Sequence, residues 1–320
     1  LGEEEARVVD GVDFMDCMGF VDARSSMRQE WAARALLRLL PGRLVRLVLP
    51  GRAGGADTAA VVFVERCGER VGVRLSHANI ITNGRQASSL FTPRGDDVLL
   101  TAMPLHEALG LTMTMFLPLL ESVPAVCHRD PMDARAMGRL CAEFETTLLC
   151  AAPEALAAYA AADTLHPLMF ASLRFVLSGG ETLDADTVRD FRQKFGLVVH
   201  DGYGSAETTP VATVNAPDVL NPADLSIQQG RKPGTVGLPV PGSALRIVDP
   251  ATLEDLPRGE TGRILIGGTQ VMQGYLGRDT GDAVMERDGI RWFATLDLGR
   301  LDEDGFLILA GAGPEDSRQG

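Results

Sequence analysis

Lysine is almost missing from this chain: among 30 basic residues only Lys194 and Lys232 are lysines, the rest being arginine. That leaves few positions for chemistry that needs an amine able to give up its proton. Positive charge is short overall, with a formal net charge of −13, which excludes a nucleic-acid partner because phosphate backbones require a basic surface. The five cysteines (Cys17, Cys67, Cys127, Cys141 and Cys150) are odd in number and scattered, with no CxxC pair. They read as reduced thiols in a cytosolic setting and exclude a disulfide or zinc framework. No apolar run approaches the length needed to span a bilayer. There is no internal repeat, no low-complexity tract and no signal peptide. The chain lacks an initiating methionine, and Leu1-Gly2-Glu3 reads as a cut inside a longer protein.

What is present is ordinary for a globular protein of more than one domain. The chain has 320 residues, 45% of them apolar and 23% charged. From Ser26 to about Leu40 apolar residues recur at helical spacing, giving a lead-in segment (1–58) with one helix. Ala59 to Val64 reads as a strand, and Ser76 as the N-cap of a helix. Beyond that point strand and helix signals alternate. Strands are expected at Val98–Met103, Val123–Cys127, Thr147–Ala151, Arg174–Ser178 and Val198–His200. Helices are expected at Leu109–Leu120 (bent or ended by Pro118), Met132–Phe144, Ala155–Ala161 and Asp184–Phe195. This alternation predicts an α/β fold over 59–230, a mostly parallel, doubly wound sheet with helices on both faces. Short strands at Leu245–Val248, Gly262–Ile266 and Phe306–Leu309, separated by Gly, Pro and Asp turns, predict a smaller β-rich subdomain over 231–315.

The most informative segment is Asp201-Gly202-Tyr203-Gly204-Ser205-Ala206-Glu207-Thr208-Thr209-Pro210. It follows the apolar run Leu197-Val198-Val199-His200 and reads as a glycine-flanked loop at the carboxyl end of a buried strand, where α/β sheets bind ligands. Its glycines permit close backbone approach, Tyr203 offers a flat face to a planar base, and Glu207 offers a carboxylate to a cation.

This segment resembles the GYGxTE signature of the adenylate-forming superfamily, which includes acyl-CoA and acyl-carrier-protein synthetases. Five further segments resemble that family in order. They are Pro104-Leu105-His106-Glu107-Ala108-Leu109-Gly110-Leu111, Ser178-Gly179-Gly180-Glu181-Thr182-Leu183, Lys232-Pro233-Gly234-Thr235-Val236-Gly237, the stretch from Gly259 to Leu276, and Thr295-Leu296-Asp297-Leu298-Gly299-Arg300. Within the family, the stretch from Leu39 to Ala53 is similar to the synthetase part of acyl-ACP synthetase / 2-acylglycerophosphoethanolamine acyltransferase proteins. The resemblance implies ATP or AMP and Mg²⁺ as cofactors, with a fatty acid and either an acyl carrier protein or CoA as reaction partners. It also implies a fused or neighbouring membrane acyltransferase or transporter, and a cytoplasmic location that extends to the inner membrane face. Gly179, Gly180, Glu181, Asp201, Tyr203, Gly204 and Asp297 are the expected nucleotide-binding residues, and Glu207 the Mg²⁺-facing carboxylate.

The departures from the family fall at its polar sites. A phosphate loop of the form TSGSxGxPKGV belongs between Phe63 and Ser76. The chain reads Val64-Glu65-Arg66-Cys67-Gly68-Glu69-Arg70-Val71-Gly72-Val73, without the Ser/Thr cluster or the lysine. Phosphates are held by amides, hydroxyls and a cation, and Glu65 and Glu69 oppose that, with Arg66 or Arg70 in partial compensation. His106-Glu107 replaces a Phe-His pair, Ala206 a threonine, Leu296 a glycine, and Ala294 and Ala312 each an arginine. The mobile C-terminal domain with its lysine is not among the 320 residues, and neither Lys194 nor Lys232 matches its position.

Two readings follow. One is an acyl-activating ligase-like domain, taking fatty acid to acyl-AMP and then to the thioester, impaired or inactive as this chain. The other is a degenerate, non-catalytic module that binds a nucleotide or acyl group, or serves as a scaffold beside an acyltransferase. A third would use His106 and Glu107 as an acid–base pair, with Glu207 as the remaining catalytic candidate. Plainer roles stand beside these: Asp297 closing a turn, Tyr203 filling a strand end, His77 at a helix start, His128, His166 and His200 as structural or surface residues, and Asp302-Glu303-Asp304 as a solvated turn.

Overall fold

Two antiparallel strands open the described chain, β1 (Thr58–Arg66) and β2 (Glu69–Ser76), with a register shift between Thr58 and Ala60 and unbroken pairing from Ala60 opposite Leu75 to Arg66 opposite Glu69. A computed structural model of the protein describes residues 54–66 and 68–312. The helix expected from Ser26, the stretch from Leu39 to Ala53, and Cys17 and Cys67 lie outside them. Of the loop expected over Val64–Val73, Val64–Arg66 and Glu69–Val73 are strand. Gly68, next to the start of β2, has the positive φ of 74° that a tight hairpin turn favours. Val62, Val71, Val73 and Leu75 bury one side of the hairpin.

Ser76 ends β2 and caps α1 (His77–Ser88) as the sequence predicts. Its Oγ accepts from Asn79 N at 3.1 Å, while Asn79 Oδ1 accepts from Ser76 N at 2.8 Å.

The parallel sheet is built from β3 (Leu99–Thr101), β4 (Ala125–Cys127), β5 (Leu148–Ala151), β6 (Phe175–Ser178) and β7 (Val199–His200), in the order β4-β3-β5-β6-β7 with every pair parallel. A helical run joins β3 to β4: α2 (Ala108–Gly110), a π turn (Leu111–Phe116) and α3 (Leu117–Glu121). Pro118 neither ends nor breaks this run. It stands in the first turn of α3, where its missing N–H is tolerated, directly after the wider π turn. The other crossovers carry α4 (Ala134–Phe144, capped by Asp133), α5 (Pro153–Ala161) and α6 (Ala185–Phe195, capped by Asp184).

The strands read as continuous apolar runs because both faces are covered. Leu99, Leu148, Cys150, Phe175 and Leu177 pack with Ala87, Met113 and Leu117 on one side. Leu100, Leu149, Ala151, Val176 and Val199 pack with Met137, Cys141, Leu156, Tyr159 and Phe191 on the other. Burial pushes the Cys150 thiol up to about 12, so it remains a protonated core residue.

One polar network ties the sheet at its amino-terminal edge. The fully buried Asp97 carboxylate accepts from Arg174 Nε at 2.8 Å and Thr147 Oγ1 at 2.7 Å. Burial alone would raise its pKa, and the bonds from Arg174 and Thr147 outweigh this and hold it below the usual carboxylate range.

After β7 the texture becomes antiparallel. β8 (Gly202–Tyr203) pairs with β9 (Thr213–Val214); an exposed hairpin follows, β10 (Val219–Leu220) with β11 (Ile227–Gln228), and β12 (Leu238–Pro239) returns to β9. The β-rich part is a five-stranded sheet of β13 (Ala244–Val248), β14 (Gly262–Gly267), β16 (Val284–Arg287), β17 (Ile290–Leu301) and β18 (Leu307–Ala312), while β15 (Gly274–Tyr275) adds to the edge of β2. β17 is the longest strand and was not foreseen as one, since its Asp297-Leu298-Gly299 reads locally as a turn. No helix among the described residues is long and apolar enough to cross a membrane.

Candidate functional site

The carboxyl ends of β6 and β7 and the start of α2 surround a cavity of about 700 Å³, closed on a further side by β1, by Asp297 within β17 and by Leu309 and Gly311 of β18. That is the edge at which parallel sheets take ligands, and the volume suits a small molecule.

Most of the expected binding residues meet here. Gly179, Gly180, Glu181, Asp201, Tyr203, Gly204 and Asp297 all line the cavity, although Asp297 lies 94 positions from Tyr203. Asp297 sits on strand β17 beside a shift in register with β18 and closes no turn. Tyr203 Oη donates to Asp297 Oδ2 at 2.6 Å. Burial, and then the Asp297 charge, raise the tyrosine pKa well above its usual value, so the phenol keeps the proton it donates. Asp201 accepts from Asn215 Nδ2 at 2.9 Å, and burial raises its pKa. Ser178, at the end of β6, lines the cavity with a buried hydroxyl that has no hydrogen-bond partner among the described residues, a cost a ligand or water can relieve.

The glycines differ in purpose. Gly180 has φ of 102° and nothing within 4 Å of where a side chain would begin, so it faces open space in a conformation that excludes other residues. A Cβ on Gly204 would collide with the Pro210 carbonyl, so this glycine serves close packing of the chain on itself.

The acid–base candidates do not form a pair. Glu107 lines the cavity, whereas His106 is exposed and does not, and no hydrogen bond or ion pair joins them among the described residues. Of the other histidines, His200 is buried, stacked on Phe175 with ring centroids 4.7 Å apart, and bonded through Nδ1 to the Asn215 carbonyl at 2.7 Å. Burial lowers its pKa and keeps the ring neutral.

Glu207 lies outside the cavity lining. It is buried, and its Oε1 accepts from Arg66 Nη1 at 3.1 Å and from Tyr275 Oη at 3.0 Å. The Arg66 guanidinium rests over the rings of Tyr275 and Phe293, at 5.7 and 5.5 Å from their centroids. What sequence reasoning missed here is that Arg66 and Tyr275 reach Glu207. The only signal was an arginine in place of small residues, and nothing local tied it to a carboxylate 141 positions away.

Both lysines are engaged elsewhere. Lys194 Nζ donates to the carbonyls of Tyr159, Ala160 and Ala162, capping the end of α5. Lys232 is held by Asp302 at 2.6 Å and Asp304 at 2.8 Å, and these bonds raise its pKa.

Residues 68–276, about two thirds of the chain, match the family model described as AMP-binding enzyme. The chain belongs to the AMP-binding enzyme family. Among curated members of this adenylate-forming superfamily, a long-chain-fatty-acid–CoA ligase of Yersinia pestis is 30% identical over 277 residues, covering 84% of this chain and 46% of the ligase. A probable 4-coumarate–CoA ligase 2 of Dictyostelium discoideum is 26% identical over 79% of this chain and 44% of its own length. The chain thus spans about half the length of the curated relatives it matches. Among solved structures, apo MatB from Rhodopseudomonas palustris superposes with a TM-score of 0.68 at 30% identity, covering 82% of this chain and 49% of that one. O-succinylbenzoate Coenzyme A synthetase (MenE) from Bacillus subtilis, in complex with AMP, shares the fold with a TM-score of 0.69 at 23% identity.

The family binds ATP or AMP, usually with Mg²⁺. The residues around the cavity fit a nucleoside: an open glycine turn, a tyrosine face and a carboxylate with one oxygen still free to accept. The carboxylate expected to face Mg²⁺ is less suited to it: Glu207 Oε1 is already engaged by a guanidinium and a phenol, whereas Mg²⁺ at nucleotide sites is held through one or two carboxylates with phosphates and waters.

Proposed function

We propose that this adenylation-fold chain, acyl-CoA ligase-like in its framework, retains the nucleoside half of its site and is impaired in adenylate formation. The observation that carries this reading is the β1–β2 hairpin. Where a phosphate loop is expected, the chain pairs through to Arg66 opposite Glu69, so the amides of this stretch that face the partner strand are committed to a ladder, and the Arg66 guanidinium is engaged by Glu207. Forming acyl-AMP rests largely on positioning and on electrostatic stabilisation at the α-phosphate. Neither of the two lysines lines the cavity to help with that.

The substrates implied by this ancestry are a fatty acid and a thiol acceptor, CoA or an acyl carrier protein. The degenerate-module reading differs in giving the chain no turnover at all. The same hairpin favours it, and it leaves room for a scaffold role beside a membrane acyltransferase at the inner face. Exchange of labelled pyrophosphate into ATP, measured with long-chain fatty acid and Mg²⁺, separates the two. The impaired-ligase reading expects slow, fatty-acid-dependent exchange and the module reading none. Fast exchange would refute both.

A further inference from the structure

The Arg66 guanidinium stands against the carboxylate expected to face Mg²⁺, and that contact does not exhaust it. Among the described residues it makes one hydrogen bond, from Nη1 to Glu207 Oε1 at 3.1 Å. A guanidinium carries five N–H donors in a rigid fork, so donors remain, on a side chain that is 20% exposed. We propose that Arg66, seated on Glu207, is this chain's substitute for Mg²⁺ and takes a single ligand phosphate, so that the site prefers a nucleoside monophosphate to a triphosphate and needs no metal to bind it. The proposal rests on the reading of the cavity as a nucleoside site and adds what meets the 5′ end of the ligand.

The strand sets the position. Val62 and Val64 line the cavity, and Arg66 is the next residue on the same face of β1, one pleat repeat or about 7 Å further along. On the facing segment Ser205 and Ala206 line the cavity, and Glu207 follows them. The ion pair therefore borders the cavity where these two walls meet. The guanidinium lies over the rings of Tyr275 and Phe293, which share one buried cluster with Val62 and Ala206. A fork held on such a shelf loses little freedom when it meets a phosphate.

Charge decides which ligand suits it. A magnesium ion brings two positive charges and an arginine one, and Glu207 already offsets that one. What Arg66 has left to give is directional hydrogen bonding from an ionised donor, which is strong at short range and matches the oxygens of one phosphate. The ladder between β1 and β2 commits the amides that face across it, so a second and third phosphate add negative charge without adding these partners.

The test is calorimetric titration of the 320-residue chain with adenosine, AMP and ATP, in EDTA and in Mg²⁺. In EDTA, AMP should bind about tenfold more tightly than adenosine, the scale of one charge-assisted contact, and ATP no more tightly than AMP. Mg²⁺ should leave the AMP affinity unchanged. The double variant Arg66→Met/Glu207→Gln removes both charges while a methionine still covers the rings, and should bring AMP down to the affinity of adenosine; a melting curve checks that it folds. If it does not fold, the comparison of AMP with adenosine in EDTA decides alone. The proposal is overturned, with the nucleoside site left standing, if AMP binds no better than adenosine in EDTA, gains its advantage only with Mg²⁺, keeps it in the folded double variant, or binds more weakly than ATP. Binding of none of the three removes the nucleoside site as well.

Discussion

The two flanks of the cavity have the same framework and opposite fates. On the flank formed by the parallel sheet, the chain leaves its strands in open loops. Gly180 keeps its left-handed turn with free space before it, and Tyr203 and Asp297 meet across 94 positions. On the flank formed by β1 and β2, the chain closes on itself, and Arg66 neutralises Glu207 from inside the protein. One flank still presents groups to a ligand, and the other has satisfied them internally. On the proposed reading a site loses its chemistry without losing its shape, because the strands that build the walls depend on apolar burial rather than on the polar groups at their ends.

The comparison breaks most sharply at the closed flank. Arg66→Ala should lower unfolding free energy by about 3 kcal/mol, because it leaves a buried carboxylate with a phenol as its one remaining partner among the described residues; pairing it with Glu207→Gln should recover much of that loss. Chemical denaturation of the two variants measures the difference, and equal losses would show that the pair does not hold this flank. Replacing Cys67-Gly68 with a longer Gly/Ser/Thr loop bearing a lysine attacks the same flank from the other direction. It should free backbone amides and improve ATP affinity by about tenfold, on the order of one added charge-assisted contact. Calorimetry would show no gain if the closed hairpin is not what excludes phosphate.

On the open flank, Tyr203→Ala should weaken adenosine binding by about 1–3 kcal/mol through loss of a stacking face. Tyr203→Phe keeps the face and should cost about 1 kcal/mol by removing the bond to Asp297. A similar loss in both variants would mean the hydroxyl matters more than the ring. The smallest expected effect concerns the sheet that both flanks share. The Asp97 pKa is lowered in the folded state, so its contribution is fully present above the ordinary carboxylate range and fades as pH falls through the folded value. Thermal melts of the protein and of Asp97→Asn should therefore converge as the solution is acidified, and parallel curves would exclude the group as the cause.

How much of this was legible in the sequence depends on range. The β/α alternation, the Ser76 cap and the cavity-lining residues after β6 and β7 were readable, since each rests on local pattern or on a motif at a strand end. The β2 strand was not, because Val71, Val73 and Leu75 alternate inside a stretch where a phosphate loop was expected. β17 was missed because Asp297-Leu298-Gly299 imitates a turn when its partners in β14 and β18 are unknown. The ion pair of Arg66 with Glu207 joins residues 141 apart, and no local spacing foretells it. The Mg²⁺ role expected of Glu207 rested on motif position alone, which gives a residue's type and carries nothing about which neighbour reaches it first.

The Arg66–Glu207 pair also acts as a ratchet. Removing Arg66 strands Glu207 in a buried place, while removing both charges together should cost far less, so single and double changes at this flank are not equivalent. A protein whose whole stability is about 5–15 kcal/mol cannot readily wait in the intermediate. The contact between the arginine and the carboxylate thus ties this flank to the fold's own stability, whatever ligand the cavity takes.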